Sequence, residues 1–245
     1  MKKKTTILFI FITILFGQLY AQPGFDLVSN GGGNYQLSMY YGAVSSVNGV
    51  PYEQIKGSPF MTDKWQHASL YNIKNELISE RPVLLNLVTG EIYFMEGEKP
   101  MVADKEIVRK VVVHSSASAK DAKAVYLNFV PNLRINDMKV NDFAEVFHSG
   151  YAKLIKYRRK ELAQSEGGGG MPKYYFFKDF TYYFVQVKNQ CGRLNRLSRD
   201  VLFEQLPGAY GMQDWVDDNK LNLKKEADVI KFIEYYNSVK EKEGK

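Results

Sequence analysis

Apolar residues near the end of the chain recur at three- and four-residue spacing, with charged residues between them. The clearest run contains Val229, Ile230, Phe232, Ile233 and Tyr236. This spacing predicts an amphipathic final helix. Ser198 can cap an earlier helix that Pro207 ends, and residues 212–218 are expected to add a further turn of helix. Helices are therefore expected from about residue 198 onward.

Two pairs of β-prone segments predict hairpins in the preceding part of the chain. The first pair is 83–88 and 91–95, separated by a two-residue turn that ends in glycine, which is a strong short-range pairing signal. The second pair is 174–177 and 181–187, with the turn expected around residues 178–180. Both pairs predict antiparallel sheet.

Three further segments alternate apolar and polar residues and are predicted to be strands: 35–41, 106–113 and 125–129. The segment 146–162 is ambiguous, because period two holds only as far as Tyr157. Strands come first and helices last, without βαβ alternation, which is typical of the α+β class. We therefore predict a mainly antiparallel β-sheet, either a cupped sheet or an open barrel, followed by C-terminal helices packed on it.

The first 21 residues have the order of a secretory signal peptide. Three lysines follow Met1 and precede an apolar run over 7–16, and this run is shorter than the roughly 20 residues that a membrane-spanning helix needs. Cleavage after Ala21 is expected to leave a flexible leader over 22–34 and one β-rich domain over 35–245. An uncleaved N-terminal anchor is the alternative.

The expected cleavage site also bears on location and charge. Gln22 is the first residue after it, and the only cysteine is Cys191, so the lipid attachment of a lipoprotein is excluded. We predict an exported protein, periplasmic or extracellular, with no transmembrane segment after signal cleavage. Removal of the three lysines of the signal peptide lowers the formal net charge from +6 to +3. This charge is too small to favour nucleic acid as a partner.

Aromatic residues are the unusual component, with 17 Tyr and 15 Phe against 3 His. They are dense in the second predicted hairpin, where both faces carry rings. One face can be core, and the other must be covered by the C-terminal helices, by a ligand or by another protein, since a large exposed apolar patch is costly in a soluble monomer. The candidate ligand or partner surface consists of Tyr174, Tyr175, Phe176, Phe177, Tyr182 and Tyr183.

A basic cluster precedes this hairpin and contains Lys153, Lys156, Arg158 and Arg159. It is a candidate contact for an anionic headgroup, a lipopolysaccharide phosphate or the acidic groups of a partner. A solvated strand or helix end is the alternative interpretation.

The sequence lacks the local signatures of catalysis. His67, His114 and His148 occur singly, without the spacing of a zinc site, and the chain has neither GxSxG nor SxxK. The glycine runs at 31–33 and 167–170 lack the order of a phosphate-binding loop. No catalytic residue, metal or cofactor is therefore predicted.

Two parts of the chain share a pattern with a known group of proteins. Gly-Ser-Pro-Phe at 57–60 is followed by the predicted strand residues 84–87 and by Gly-Glu-Ile-Tyr at 90–93. The ending contains Trp215, Val216, Asn219, Lys220, Leu221, Ile233, Tyr235, Tyr236 and Asn237. In these parts the chain resembles uncharacterised exported β-rich proteins of the Bacteroidota. The resemblance implies an exported β-rich domain and supplies no catalytic or binding residues.

Two functions of different classes fit these features. In the first, the chain is an exported envelope protein and a non-enzymatic module that binds or docks an envelope protein, a lipid or a glycan through its aromatic sheet face. In the second, it is a small periplasmic hydrolase whose carboxylate-based site the sequence does not reveal. The lack of a catalytic signature favours the binding module.

Overall fold

Side chains of a β-strand point alternately to the two faces of a sheet, and this alternation organises the fold. The computed structural model describes residues 46–97, 99–114, 124–167 and 173–243, all of them in one compact unit. The predicted signal peptide, the leader and the strand at 35–41 lie outside the described residues, as do residues 168–170 of the second glycine run.

Strands form most of the described structure. They are β1 (Ser46–Val47), β2 (Val50–Pro51), β3 (Ile55–Lys56), β4 (Gln66–Tyr71), β5 (Leu77–Leu85), β6 (Ile92–Glu96), β7 (Lys99–Val102), β8 (Lys110–Val113), β9 (Val125–Ile135), β10 (Met138–Phe147), β11 (Ala152–Gln164), β12 (Tyr175–Val187) and β13 (Gln190–Leu194). The helices are α1 (Arg199–Gln205), α2 (Gln213–Asp218) and α3 (Glu226–Glu243), with short 3₁₀ segments at Tyr52–Gln54 and Ala209–Met212. Strands account for 48% of the described residues and helices for 21%, which confirms the predicted α+β class with a mainly antiparallel sheet and C-terminal helices.

One large open sheet runs in the order β13-β12-β11-β10-β9-β8-β4-β5-β6-β7. Neighbours in this order are antiparallel, and β3 adds a short parallel pairing to the start of β12. The first predicted hairpin is confirmed, with Leu85 of β5 opposite Ile92 of β6, but its connection spans residues 86–91 and not the two residues expected. The small pair β1–β2 is separate from this sheet.

Apolar side chains form cores on both faces of the sheet. On β10, Phe143 packs into an N-terminal core with Leu70 and Phe94, whereas the next residue, Ala144, packs into a hairpin core with Ile155. Because consecutive residues of a strand point to opposite faces, these two cores lie on opposite sides of the sheet at β10. β13 also approaches β9, so strands β9–β13 curl around the hairpin core.

The C-terminal helices pack on the face of β11 and β12 that carries Leu154 and Val185, and we call this the helix face. The three predicted helical segments are confirmed, and Ser198 caps α1 by accepting the Val201 N–H at 3.5 Å. Within the described ranges, no helix is long and apolar enough to cross a membrane.

The second predicted hairpin is wrong. β12 continues through residues 178–180, where Lys178 lies opposite Glu161 and Asp179 opposite Lys160 of β11. Asp179 is the one residue of this segment whose type favours turns, and the long ladder with β11 fixes all three residues as strand. The ambiguous segment thus supplies β11, which is the true hairpin partner of β12.

The strand predicted over 106–113 is shorter than expected. A turn precedes it, in which the Asp104 carbonyl accepts the N–H groups of Ile107 and Val108 at 3.1 and 2.8 Å. β8 therefore begins only at Lys110.

Candidate binding surface

The register of β11 and β12 sorts the predicted aromatic surface onto two faces. Val185 of β12 lies in the core beneath the helices, so the odd-numbered residues Tyr183, Phe177 and Tyr175 share the helix face by alternation. The even-numbered Phe176 and Tyr182 point to the opposite face. The six predicted residues therefore do not form one surface.

The helix-face residues are absorbed into the fold. The Tyr183 hydroxyl donates to Glu226 of α3 at 2.5 Å, so α3 covers this part of the aromatic region. Phe177 is 8% exposed, with its ring 5.8 Å from that of Tyr52 in an edge-on contact. Tyr175 pairs with Ile55 of β3.

The other face of β12 carries a row of rings that we call the aromatic stripe: Tyr174, Phe176, Phe180 and Tyr182. The Phe180 and Tyr182 rings lie 6.3 Å apart with an interplanar angle of 6°, and the Tyr174 and Phe176 rings lie 6.0 Å apart. Tyr174 is 38% exposed, and the other three are half-buried. At the Tyr182 end, the row contacts Tyr157, which is buried and stacks on Tyr182.

Three cations lie over rings of the aromatic stripe. The Lys56 Nζ is 3.5 Å from the Tyr174 ring centre, and the Lys178 Nζ is 5.3 Å from that of Phe180. The Arg193 guanidinium is 4.9 Å from the Tyr182 ring centre. These distances are within the range of cation–π attraction.

The same three cations lack a carboxylate partner among the described residues. Arg193 donates instead to the side-chain oxygen of Asn136 at 3.0 Å, and its buried Nε has no hydrogen-bond partner within the described structure. Because an aromatic ring attracts a cation without cancelling its charge, the stripe keeps an excess of positive charge. Beside the stripe, Arg159 forms an ion pair with Glu161 at 2.6 Å.

The predicted basic cluster is divided in the same way. Lys153 and Arg159 point to the stripe face, whereas Lys156 and Arg158 point to the helix face. There Lys156 pairs with Glu226 at 2.8 Å and Arg158 pairs with Glu145 at 2.6 Å. Arg159 pairs with Glu161 on the stripe face, so three of the four predicted anion contacts are already paired with carboxylates of the chain.

The helix-face pairs shift the pKa values of their members. Burial alone would raise the pKa of Glu226, but hydrogen bonds from Lys156 and Tyr183 outweigh it and lower that pKa below its ordinary value. Burial and the Glu226 carboxylate raise the pKa of Tyr183. Both shifts favour a charged Glu226 and a neutral Tyr183, the state in which the hydrogen bond forms.

Four residues of this surface were not predicted from the sequence: Lys56, Lys178, Phe180 and Arg193. Phe180 and Lys178 were recoverable by continuing the period-two alternation back from Tyr182 through the supposed turn. Lys56 and Arg193 come from other strands, and no local pattern marks them.

Asp142 is the buried carboxylate most suited to a catalytic hypothesis. Burial raises its pKa, an effect that Lys105 at 3.3 Å only partly offsets, and perturbed carboxylates are common at active sites. Its oxygens, however, accept the Phe143 N–H at 2.8 Å and the Tyr157 hydroxyl at 3.1 Å. Asp142 is 8% exposed, and these contacts account for it as a structural group.

Ser69 and His114 form a second arrangement that resembles a catalytic pair. The Ser69 Oγ lies 2.8 Å from His114 Nε2 and donates to Glu80 at 2.9 Å. A hydroxyl has one proton to donate, so while Glu80 is ionised, His114 must donate to Ser69 and does not act as its base. Ser69 is also 1% exposed, which keeps a substrate away from its oxygen.

Metal and small-molecule sites find little support in the described ranges. The His67 and His114 rings lie 5.5 Å apart, a proximity that their sequence spacing did not reveal. No group of three or more His, Cys, Asp or Glu residues is arranged to hold a metal ion in the part of the chain that the structure describes. A cavity in the N-terminal core, lined by Met61, Gln66 and Val111 among others, has a volume of about 10 Å³, room for about one water molecule.

Comparisons of the chain with protein-family models, with curated proteins and with solved structures found no match.

Proposed function

We propose that this chain is an exported envelope protein that acts as a non-enzymatic binding module, with the aromatic stripe of β12 as its contact surface. The observation that carries the proposal is the set of three cations, Lys56, Lys178 and Arg193, each over a ring of one strand face and none paired with a carboxylate in the described structure. Half-buried rings beside such cations can contact the apolar body of a ligand and its negative charge together.

Two further features support binding at this face. The helices occupy the opposite side of β11 and β12, so they do not cover the stripe, of which Tyr182 packs against the hairpin core. Three of the rings also stand on a long strand that pairs with β11 along its whole length, and sites on rigid elements hold their geometry better than sites on loops.

The test compares two variants of the chain from Gln22 onward for binding to an envelope fraction. In the first variant, Phe180→Ala removes a ring of the stripe. In the matched control, Tyr126→Ala removes an aromatic side chain that is 50% exposed on β9. We expect the wild type and the control to retain one stoichiometric, saturable partner, and Phe180→Ala to lose it. Equal retention by all three proteins, or no partner with any of them, would contradict the proposal.

A further inference from the structure

One edge of β12 is unpaired between two short neighbours. β3 pairs with Tyr175 and Phe176, and β13 pairs with β12 from Tyr183 onward. Between them, over residues 177–182, no described strand lies along this edge. At about 3.3 Å per residue, the gap can hold a strand of roughly four to six residues.

The backbone groups that point into this gap follow from the ladder. The Lys160 N–H donates to the Leu87 carbonyl at 2.8 Å, away from β12, so the pair Lys160 and Asp179 is not hydrogen-bonded across the ladder. In antiparallel sheet both members of such a pair turn their N–H and C=O groups outward. Asp179 therefore presents its backbone groups to the gap, and Thr181 does the same by period two.

The side chains beside the gap are suited to an acidic segment. Phe180 and Lys178 alternate with Asp179 and Thr181, and they lie on the stripe face next to the free edge. Asp179 is an ion-pair partner of Lys160 at 3.7 Å, whereas Lys178 has a ring and no carboxylate partner among the described residues. An added strand would therefore meet uncompensated positive charge on the side that carries the rings.

We infer that the unpaired edge of β12 accepts an extended acidic segment of a partner protein as an added strand. Backbone hydrogen bonds from Asp179 and Thr181 would supply affinity, and acidic side chains on alternate residues would contact Lys178 and the other stripe cations. This inference rests on the proposed function and specifies the partner as a peptide strand. A strand edge offers nothing particular to an anionic glycan, which makes glycan binding the competing outcome.

The test uses the whole chain from Gln22 and a labelled peptide of four Thr-Glu repeats, with binding followed by fluorescence anisotropy. Two control peptides separate the contributions. A Thr-Lys repeat of equal length reverses the charge, and a Thr-Glu repeat with N-methyl groups on alternate residues keeps the charge but cannot pair with a strand. We expect each control to bind at least about tenfold more weakly than the Thr-Glu peptide.

Variants of the chain locate the site. Thr181→Pro removes the outward N–H, and prolines are tolerated at strand edges, while Thr181→Ala keeps the N–H and serves as its control. Lys178→Glu reverses the charge beside the gap, and Lys224→Glu makes the same change at an exposed lysine before α3. We expect Thr181→Pro and Lys178→Glu to weaken peptide binding by about tenfold and both controls to change it by less than about twofold.

The outcomes separate this inference from the proposed function. Equal binding of the N-methylated and unmodified peptides would overturn the added strand. So would saturable binding of oligogalacturonate, an acidic glycan, that displaces the peptide and is unaffected by Thr181→Pro. In either case, the proposed function would still be supported if Phe180→Ala abolished retention of the envelope partner. The N-methylated peptide needs no altered protein, so the test holds even if Thr181→Pro fails to fold.

Discussion

Gly90 lies so close to Asp142 that a β-carbon at residue 90 would be 2.5 Å from the Asp142 Cγ and closer still to both carboxylate oxygens. Gly90 also has a φ of +70°, and its N–H donates to the Asn86 carbonyl at 2.8 Å. The carboxylate it covers accepts the Tyr157 hydroxyl of β11. The turn between β5 and β6 can therefore seat on β10 and β11 only if residue 90 has no side chain.

Gly90→Ala should be strongly destabilising for two reasons. The positive φ strains an alanine, and the new methyl group displaces a buried carboxylate from its donors, so we expect a loss of roughly 2–4 kcal/mol in the free energy of unfolding. Gly97→Ala is the matched control, since Gly97 has a φ of +61° but nothing within 4 Å of the added carbon. We expect it to lose only about 1 kcal/mol. Urea unfolding followed by tyrosine and tryptophan fluorescence measures both, and equal losses would disprove the steric argument.

Asp142 should make the stability of the chain depend on pH. Burial raises its pKa above the ordinary 3.8 despite the nearby Lys105, so the folded state binds this proton more tightly than the unfolded state does. The contribution of this group is therefore fully present below about pH 4 and is lost as the pH rises through the raised pKa. We expect Asp142→Asn, which does not titrate, to gain stability relative to the wild type over that rise. Parallel unfolding profiles of the two proteins against pH would contradict this.

The first hairpin and the helices were predictable because their signals are local. The turn ending in Gly90 and the capping Ser198 each act on residues a few positions away. The contact between Gly90 and Asp142 has no such signal, since it joins a turn to a strand that lies far away in the sequence. No short sequence motif spans the two residues, so the contact could not be predicted from the sequence.

The candidate surface shows the same limit more sharply. Six aromatic residues stood out in the sequence, but the face each one occupies depends on whether residues 178–180 turn or continue. Local propensity leaves that open, and the ladder between β11 and β12 decides it. Once the strand is known to be continuous, alternation places Tyr182 on the stripe and Tyr183 under the helices without further information.

Asn237 should be one of the most sensitive positions of α3. Its side chain accepts the Ala152 N–H at 2.7 Å and donates to the Ala152 carbonyl at 2.9 Å, so it satisfies both backbone groups at the buried start of β11. Asn237→Ala leaves both without a partner, and we expect a loss of roughly 2–3 kcal/mol in the free energy of unfolding. Asn195→Ala, at an exposed residue after β13, should change stability by less than about 0.5 kcal/mol. A loss for Asn237→Ala as small as that of the control would show that the pairing contributes little.

Tyr182 and Tyr183 are neighbours on β12, but we expect substitution of Tyr183 to affect stability and substitution of Tyr182 to affect binding. Tyr183→Phe removes the hydroxyl that donates to Glu226, so we expect a loss of about 1 kcal/mol at neutral pH. Glu226 has a lowered pKa in the folded state, so its contribution is present above the unfolded value near 4.5 and is lost as the pH falls through the lower folded value. The penalty of Tyr183→Phe should therefore shrink between about pH 7 and about pH 3, as measured by urea unfolding.

Tyr182→Ala removes a ring of the stripe and should abolish retention of the envelope partner. Tyr183→Phe should leave that retention intact, because the Tyr183 ring faces the helices. If Tyr183→Phe also abolished retention, the division of β12 into a helix face and a binding face would be wrong.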